Sequence, residues 1–160
     1  MKKISAIGLL AFALMLGGCR SVNVASPDAA YANFKPQCLG VGMDGTQTLR
    51  VFGKGKDKAQ AIEQAKKNAV REVIFNGIQG SGECNKRPIV NEVNAAERYE
   101  AYFNAFFATG GAYTKYVSLD ENRTSRIKAK TDGLEQWGVT LTVDRSALKS
   151  RLQDDGILPK

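Results

Sequence analysis

The chain has 160 residues, 43% of them hydrophobic and 24% charged, which is the balance of one ordinary globular domain. It contains no histidine, so neither a Ser-His-Asp nor a Cys-His constellation can be assembled from it. Its formal net charge of +7 reads first as a solubility device and second as attraction to anionic lipid headgroups or acidic glycans. The adjacent carboxylates Asp120-Glu121 and Asp154-Asp155 fall where turns or helix ends are expected, and are not read as an acid–base pair. With no imidazole and three thiols in all, no metal site is expected. No cofactor and no enzymatic activity are expected either.

The N-terminus reads as a targeting segment. Met1-Lys2-Lys3 is a short basic start, and Ile4 to Leu16 is an apolar run of thirteen residues, too short for a comfortable membrane span. The run ends in Leu16-Gly17-Gly18-Cys19. Small residues before a cysteine let a peptidase grip an extended backbone, and the thiol is an atom that can carry a lipid. This stretch resembles the lipobox of bacterial lipoproteins, in which a diacylglyceryl group is attached to the cysteine and the signal is then cleaved. The resemblance implies lipidation at Cys19, a signal peptide over residues 1–18 and a mature chain from Cys19. It places the protein in the cell envelope, on the outer membrane and facing the periplasm, held to the lipid bilayer by its acyl chains. Several acyl chains on one residue anchor stably where a single one does not. Loss of Lys2 and Lys3 lowers the formal charge from +7 to +5. Nucleic acid is not an expected partner for such a protein.

Residues 19–37 read as the lipidated cysteine and a flexible tether, with Pro27, Pro36 and no apolar periodicity. As a coil this tether spans about 20 to 25 Å. A single α+β domain is expected over residues 38–160. With Cys19 lipidated, Cys38 and Cys84 remain. Two cysteines in an oxidising compartment make a disulfide the expectation, the alternative being two separate buried thiols.

The domain opens with Leu39, Val41 and Met43 alternating with glycines, then the turn signal Asp44-Gly45. A second arm from Thr46 to Gly53 alternates Leu49 and Val51 with Thr48, Arg50 and Phe52, which predicts a β-hairpin. Gly53-Lys54-Gly55-Lys56 reads as a permissive turn, the alternative being a phosphate cradle before the helix N-terminus. Its glycine spacing is not that of a P-loop and no Lys-Ser/Thr pair follows. From Asp57 to Ile78 the spacing of Ala59, Ile62, Ala65, Ala69, Val73 and Ile74 predicts a long helix, with Ala61 and Val70 widening its apolar face. Asp57 is the expected N-cap and Gly77 the expected C-terminal stop. Lys58, Glu63, Lys66, Lys67, Arg71 and Glu72 make up the predicted solvent face.

A glycine-rich loop leads to Cys84, and Ile89-Val90 reads as a brief extended piece. A second, aromatic helix is predicted from Asn91 or Asn94 to Ala108, with Asn94 and Glu97 as a capping pair and Gly110-Gly111 as the stop. Three strands are then predicted, Tyr113 to Leu119, Thr124 to Lys130 and Gln136 to Asp144. Turns at Asp120-Glu121-Asn122 and Asp132-Gly133 separate them. In the last strand Trp137, Val139, Leu141 and Val143 share one face. Asp144 or Ser146 caps a short final helix carrying Leu148 and Leu152, which Gly156 and Pro159 end. The predicted class is therefore α+β: an antiparallel sheet of about four to five strands packed by one long Ala-rich helix, a second aromatic helix and a short C-terminal helix.

The Ala-rich helix after a G-x-G turn, followed by a Val-rich strand running into Asp and a Leu-x-x-x-Leu helix, resembles the flagellar-assembly-T N-terminal domain and the small bacterial lipoproteins of that fold. The matching pieces are Val51 to Gly55, Ala59-Ala61-Ala65-Ala69, and Gly138 to Leu152. The stretch YEAYFNAFFATGGAY and the Cys38/Cys84 pair lie outside that pattern and look more like an uncharacterised lipoprotein subgroup of Bacteroides type. The resemblance implies a periplasm-facing lipoprotein of structural or assembly type, and it carries over no catalytic residue. A structural, assembly or docking role with an envelope protein partner is thus the leading expectation. The alternative is a periplasmic ligand-binding module for glycan or peptidoglycan fragments, with Tyr99, Tyr102, Phe106 and Trp137 as its candidate ligand groove. Core packing is the competing reading of the same aromatic stripe.

Overall fold

The computed structural model of the protein describes residues 35–131 and 133–159. The signal stretch, Cys19 and all but the end of the expected tether lie outside the described residues. Four antiparallel strands form one sheet in the order β1-β2-β4-β3. They are β1 (Gln37–Val41), β2 (Thr46–Gly55), β3 (Val117–Thr131) and β4 (Leu134–Asp144). The helices are α1 (Lys58–Arg71), α2 (Ala95–Arg98), α3 (Glu100–Phe106) and α4 (Arg145–Asp154). This is the α+β class expected, with the strand count at the lower end.

The first hairpin closes at the predicted turn. Gly45 takes a φ of +83°, which a side chain would resist. The Asp44 carboxylate accepts from the Thr46 N–H at 3.1 Å and from its hydroxyl at 2.8 Å. Those bonds hold the Asp44 carboxyl below its usual pKa. β1 ends at Val41, and its register shifts between Cys38 and Gly40. The shift and the edge position leave Leu39 exposed, and Met43 is exposed in the turn beyond the strand.

β2 sets the plan for the rest. Gln47, Leu49, Val51, Gly53 and Gly55 are all buried, and the alternate residues are half-buried or exposed. Opposite them on β4 stand Val143, Leu141, Val139, Trp137 and Glu135. Gly53 and Gly55 belong to the strand and do not form the turn predicted for them. A methyl group on Gly53 would lie 2.6 Å from the Ala65 nitrogen and overlap the Ala61 carbonyl. These glycines therefore let α1 approach the strand backbone. The helix answers with alanine: Ala61, Ala65 and Ala69 are fully buried, as are Val70, Val73 and Ile74. Ala59 is exposed, so the buried stripe is rotated from the predicted one. The Asn68 amide donates to the Phe52 carbonyl at 3.1 Å and ties helix to strand.

Asp57 caps α1 by accepting from the Gln60 N–H at 2.9 Å. The far end widens into a π-helical turn, Glu72–Asn76, and stops at Gly77 with a φ of +72°. A helix end leaves carbonyls without intrahelical partners. Here those of Val73 and Ile74 accept from the N–H groups of Ile89 and Val90, at 3.2 and 2.9 Å. The extended piece predicted at Ile89-Val90 thus docks on the end of α1. Between them, a bridge pairs Ile78 with Lys86, and a 3-10 turn, Gly82–Cys84, brings Cys84 to β1. Cys38 and Cys84 form a disulfide with Cα atoms 5.8 Å apart.

The aromatic helix is in two pieces, α2 and α3, separated at Tyr99 (φ −111°, ψ 33°). Asn94 makes no side-chain capping bond. Aromatic residues favour helix weakly, and ring packing decides their backbone here. Ala112–Tyr116 is a 3-10 turn, so the strand predicted from Tyr113 begins only at Val117. β3 then runs unbroken through the predicted Asp120-Glu121-Asn122 turn. Those residues form a bulge, where the register against β4 shifts between Asp120 and Thr124. Asp132 lies outside the described residues, and Gly133 carries the turn with a φ of +76°. Asp144 caps α4 by accepting from the Ala147 N–H at 2.9 Å, and Leu148 and Leu152 are fully buried.

Candidate functional site

The four residues of the predicted groove do not line one surface. Tyr102 stacks on Phe106, with centroids 5.8 Å apart. Phe106 is buried, whereas Tyr99 and Tyr102 are half-buried. Around them Phe75, Phe103, Phe107, Tyr113 and Tyr116 complete a chain of ring contacts. The Arg71 guanidinium lies over the Phe75 and Phe107 rings at 6.0 and 5.5 Å. Trp137 sits instead at the start of α1, with the Lys58 ammonium 5.0 Å from its ring centre. Lys58 and Arg71 are the two ends of α1, about 20 Å apart at the helical rise. An open cleft of about 370 Å³ between α1 and α2–α3 is lined by Arg71, Ala96, Glu97, Glu100, Phe103, Asn104 and Phe107. None of the four predicted residues is among them.

Two tyrosines in this cluster reach carboxylates. Tyr102 donates to Asp155 at 2.6 Å, and Arg151 donates to the same oxygen at 2.7 Å. The Tyr102–Asp155 bond joins α3 to the end of α4. Tyr113 donates to Glu63 of α1, and the Lys67 ammonium lies 5.8 Å from the Tyr113 ring centre. Burial first, then the carboxylate partner, raise both phenol pKa values well above 10.0. The native protein therefore holds protons that the unfolded chain releases. Stability from these two groups is whole below about pH 10 and falls as the pH rises through the native values. Tyr102→Phe and Tyr113→Phe should each flatten the alkaline loss of stability. Ultraviolet phenolate titration should show the missing group among the last to ionise. A variant whose alkaline unfolding profile superposes on the parent would refute the assignment for that tyrosine.

Arg145 spans another seam. Its guanidinium donates to the Val73 carbonyl at 3.5 Å and to the Arg87 carbonyl, and burial lowers its pKa. It ties α4 to the end of α1 and to the loop that follows. Asp155, one of the carboxylates weighed as a sequence pair, is committed to Tyr102 and Arg151. Asp120 accepts from the Asn122 N–H at 3.1 Å within the β3 bulge. Among the described residues no cluster of three metal-ligating side chains gathers.

At the other end of the molecule, Lys54, Lys56 and Lys58 are exposed within five residues. The Trp137 indole donates to Glu135 at 3.0 Å. By spacing the glycine-lysine stretch reads as a permissive turn, with a phosphate cradle as the lesser alternative. The pairing of Gly53 with Trp137, which brings the ring to these lysines, is a long-range register that local spacing does not signal. The Tyr113–Glu63 contact spans 50 residues and likewise had no local signal. No protein-family model matches the chain, nor does any curated protein or solved structure.

Proposed function

We propose that the protein is a membrane-anchored envelope lipoprotein with a structural, assembly or docking role, without catalysis of its own. Leu16-Gly17-Gly18-Cys19, after its basic start and apolar run, carries this reading. The Cys38–Cys84 bond supports it, because such bonds persist in oxidising compartments outside the cytoplasm. The use of polar groups supports a scaffold role. Tyr102, Tyr113, Glu63, Asp155 and Arg145 each hold one element to another. Among the described residues no helix is long and apolar enough to cross a membrane. The proposed attachment, carried by the lipobox resemblance, is through Cys19. The outer membrane, facing the periplasm, is the proposed location, and another envelope protein the proposed partner.

Cys19→Ala should leave an unprocessed or mislocalised precursor that takes up no labelled palmitate. Unchanged labelling and membrane fractionation would end the lipoprotein reading. Mild crosslinking in whole cells should recover a protein partner, and recovery of monomer and lipid alone would end the docking role.

A periplasmic module for glycan or peptidoglycan fragments is the second reading. Tyr99 and Tyr102, which keep part of their surface open to solvent, favour it. Titration with soluble peptidoglycan fragments discriminates. A saturable change in tyrosine fluorescence supports the module, and none supports the scaffold.

A further inference from the structure

We propose that the end of the domain where β2 runs into α1 is a membrane-facing surface for anionic lipid headgroups. This deepens the anchored-lipoprotein reading and rests on it. Lys54, Lys56 and Lys58 are all exposed there. Among the described residues, the ammonium groups of Lys54 and Lys56 enter no ion pair. The neighbouring acids are engaged: Asp57 caps α1, and Glu135 accepts the Trp137 indole proton. On the other side of β4, the backbone of β3 pairs Arg126 with Trp137. Several cations elsewhere are committed to local partners. Arg71 and Lys67 lie over aromatic rings, Arg98 pairs with Glu92, and Arg151 pairs with Asp155.

The kind of anion follows from what is missing. A single bound phosphate needs a fixed cradle of N–H groups, and here the first turn of α1 already holds the Asp57 carboxylate. A sugar ring needs a free aromatic face, and Lys58 sits over the ring of Trp137. Flexible lysine stems without fixed geometry suit a diffuse anionic plane. Each lysine near such a leaflet strengthens binding several-fold, and salt screens the attraction beyond about 10 Å at 0.1 M. The acyl chains supply attachment in this scheme, and the lysines supply orientation.

Trp137 is the only tryptophan in the chain, so it reports on this end alone. The full lipidated protein would be reconstituted into vesicles carrying dansyl-labelled phosphatidylethanolamine. The bulk lipid would be phosphatidylcholine, with or without phosphatidylglycerol. Energy transfer from Trp137 to the headgroup dye should be stronger with phosphatidylglycerol. It should fall to the phosphatidylcholine level in high salt or in the K54E/K56E variant, which leaves Lys58 on the ring. Circular dichroism would check that the variant is folded. Transfer that is equal in the two lipids, or unchanged in the folded variant, would overturn the proposal. So would capture of the domain by a soluble acidic polysaccharide through the same lysines with no effect of lipid charge. Co-sedimentation in high salt reads the anchor separately: its loss counts against lipidation at Cys19, while its retention with weak transfer counts against this surface.

Discussion

Ala65→Glu should destabilise the domain by on the order of 4 kcal/mol or more, while Ala59→Glu should be neutral or slightly stabilising. Both changes place the same carboxylate on α1, six residues apart in one alanine series. Ala65 is fully buried against β2, at a point where Gly53 has no side chain to move aside. A glutamate there must either keep its charge without a partner or push the helix off the sheet. Ala59 is exposed in the first turn of α1, where negative charge suits the helix dipole. Urea denaturation of the two variants checks this. Equal midpoints would mean that the buried face of α1 is assigned wrongly.

The second large effect belongs to the Cys38–Cys84 bond, whose ends are 46 residues apart in sequence. Chain-entropy reasoning puts its contribution at about 4 kcal/mol, acting mostly by restricting the unfolded chain. For a domain of this size that corresponds to a melting temperature lower by about 15 °C after reduction. The Cys38→Ser/Cys84→Ser double variant should melt where the reduced parent does, and should itself be insensitive to reductant. Protein isolated from cells without reductant should show no reactive thiol from either residue when denatured. Two such thiols, or a melting curve that ignores reductant, would remove the bond from the stability of the native protein.

Local chemistry made much of this fold legible. Asp57, Gly77 and Asp144 mark helix ends because capping needs only a side chain and its near backbone. The alternation of Val139, Leu141 and Val143 with Gly138, Thr140 and Thr142 marks β4 because the apolar residues face the core. Where sequence reading failed, a distant partner decided the outcome. Gly53 and Gly55 look like a turn until α1 lies on them. Asp120-Glu121-Asn122 has turn chemistry, yet β4 keeps the strand going and the surplus residues bulge. Ala59 fits the helical period, but the pitch of α1 against β2 buries Ala61 in its place. The candidate groove fared worse for the same reason. Spacing put Tyr99, Tyr102 and Phe106 on one stretch, but Trp137 joins the opposite end of α1 through the β2–β4 register.

Cys38 is the second residue of β1, and this position has a mechanical meaning. An edge strand held by backbone hydrogen bonds alone can be unzipped from its end, one bond at a time. Tension arriving along the chain through Pro36 meets a covalent crossing almost at once. The load then passes through Cys84 to Lys86, whose backbone is paired with Ile78, and on to the end of α1. A tug on the N-terminal side is thereby shared between both layers of the domain, and β1 is spared from carrying it alone.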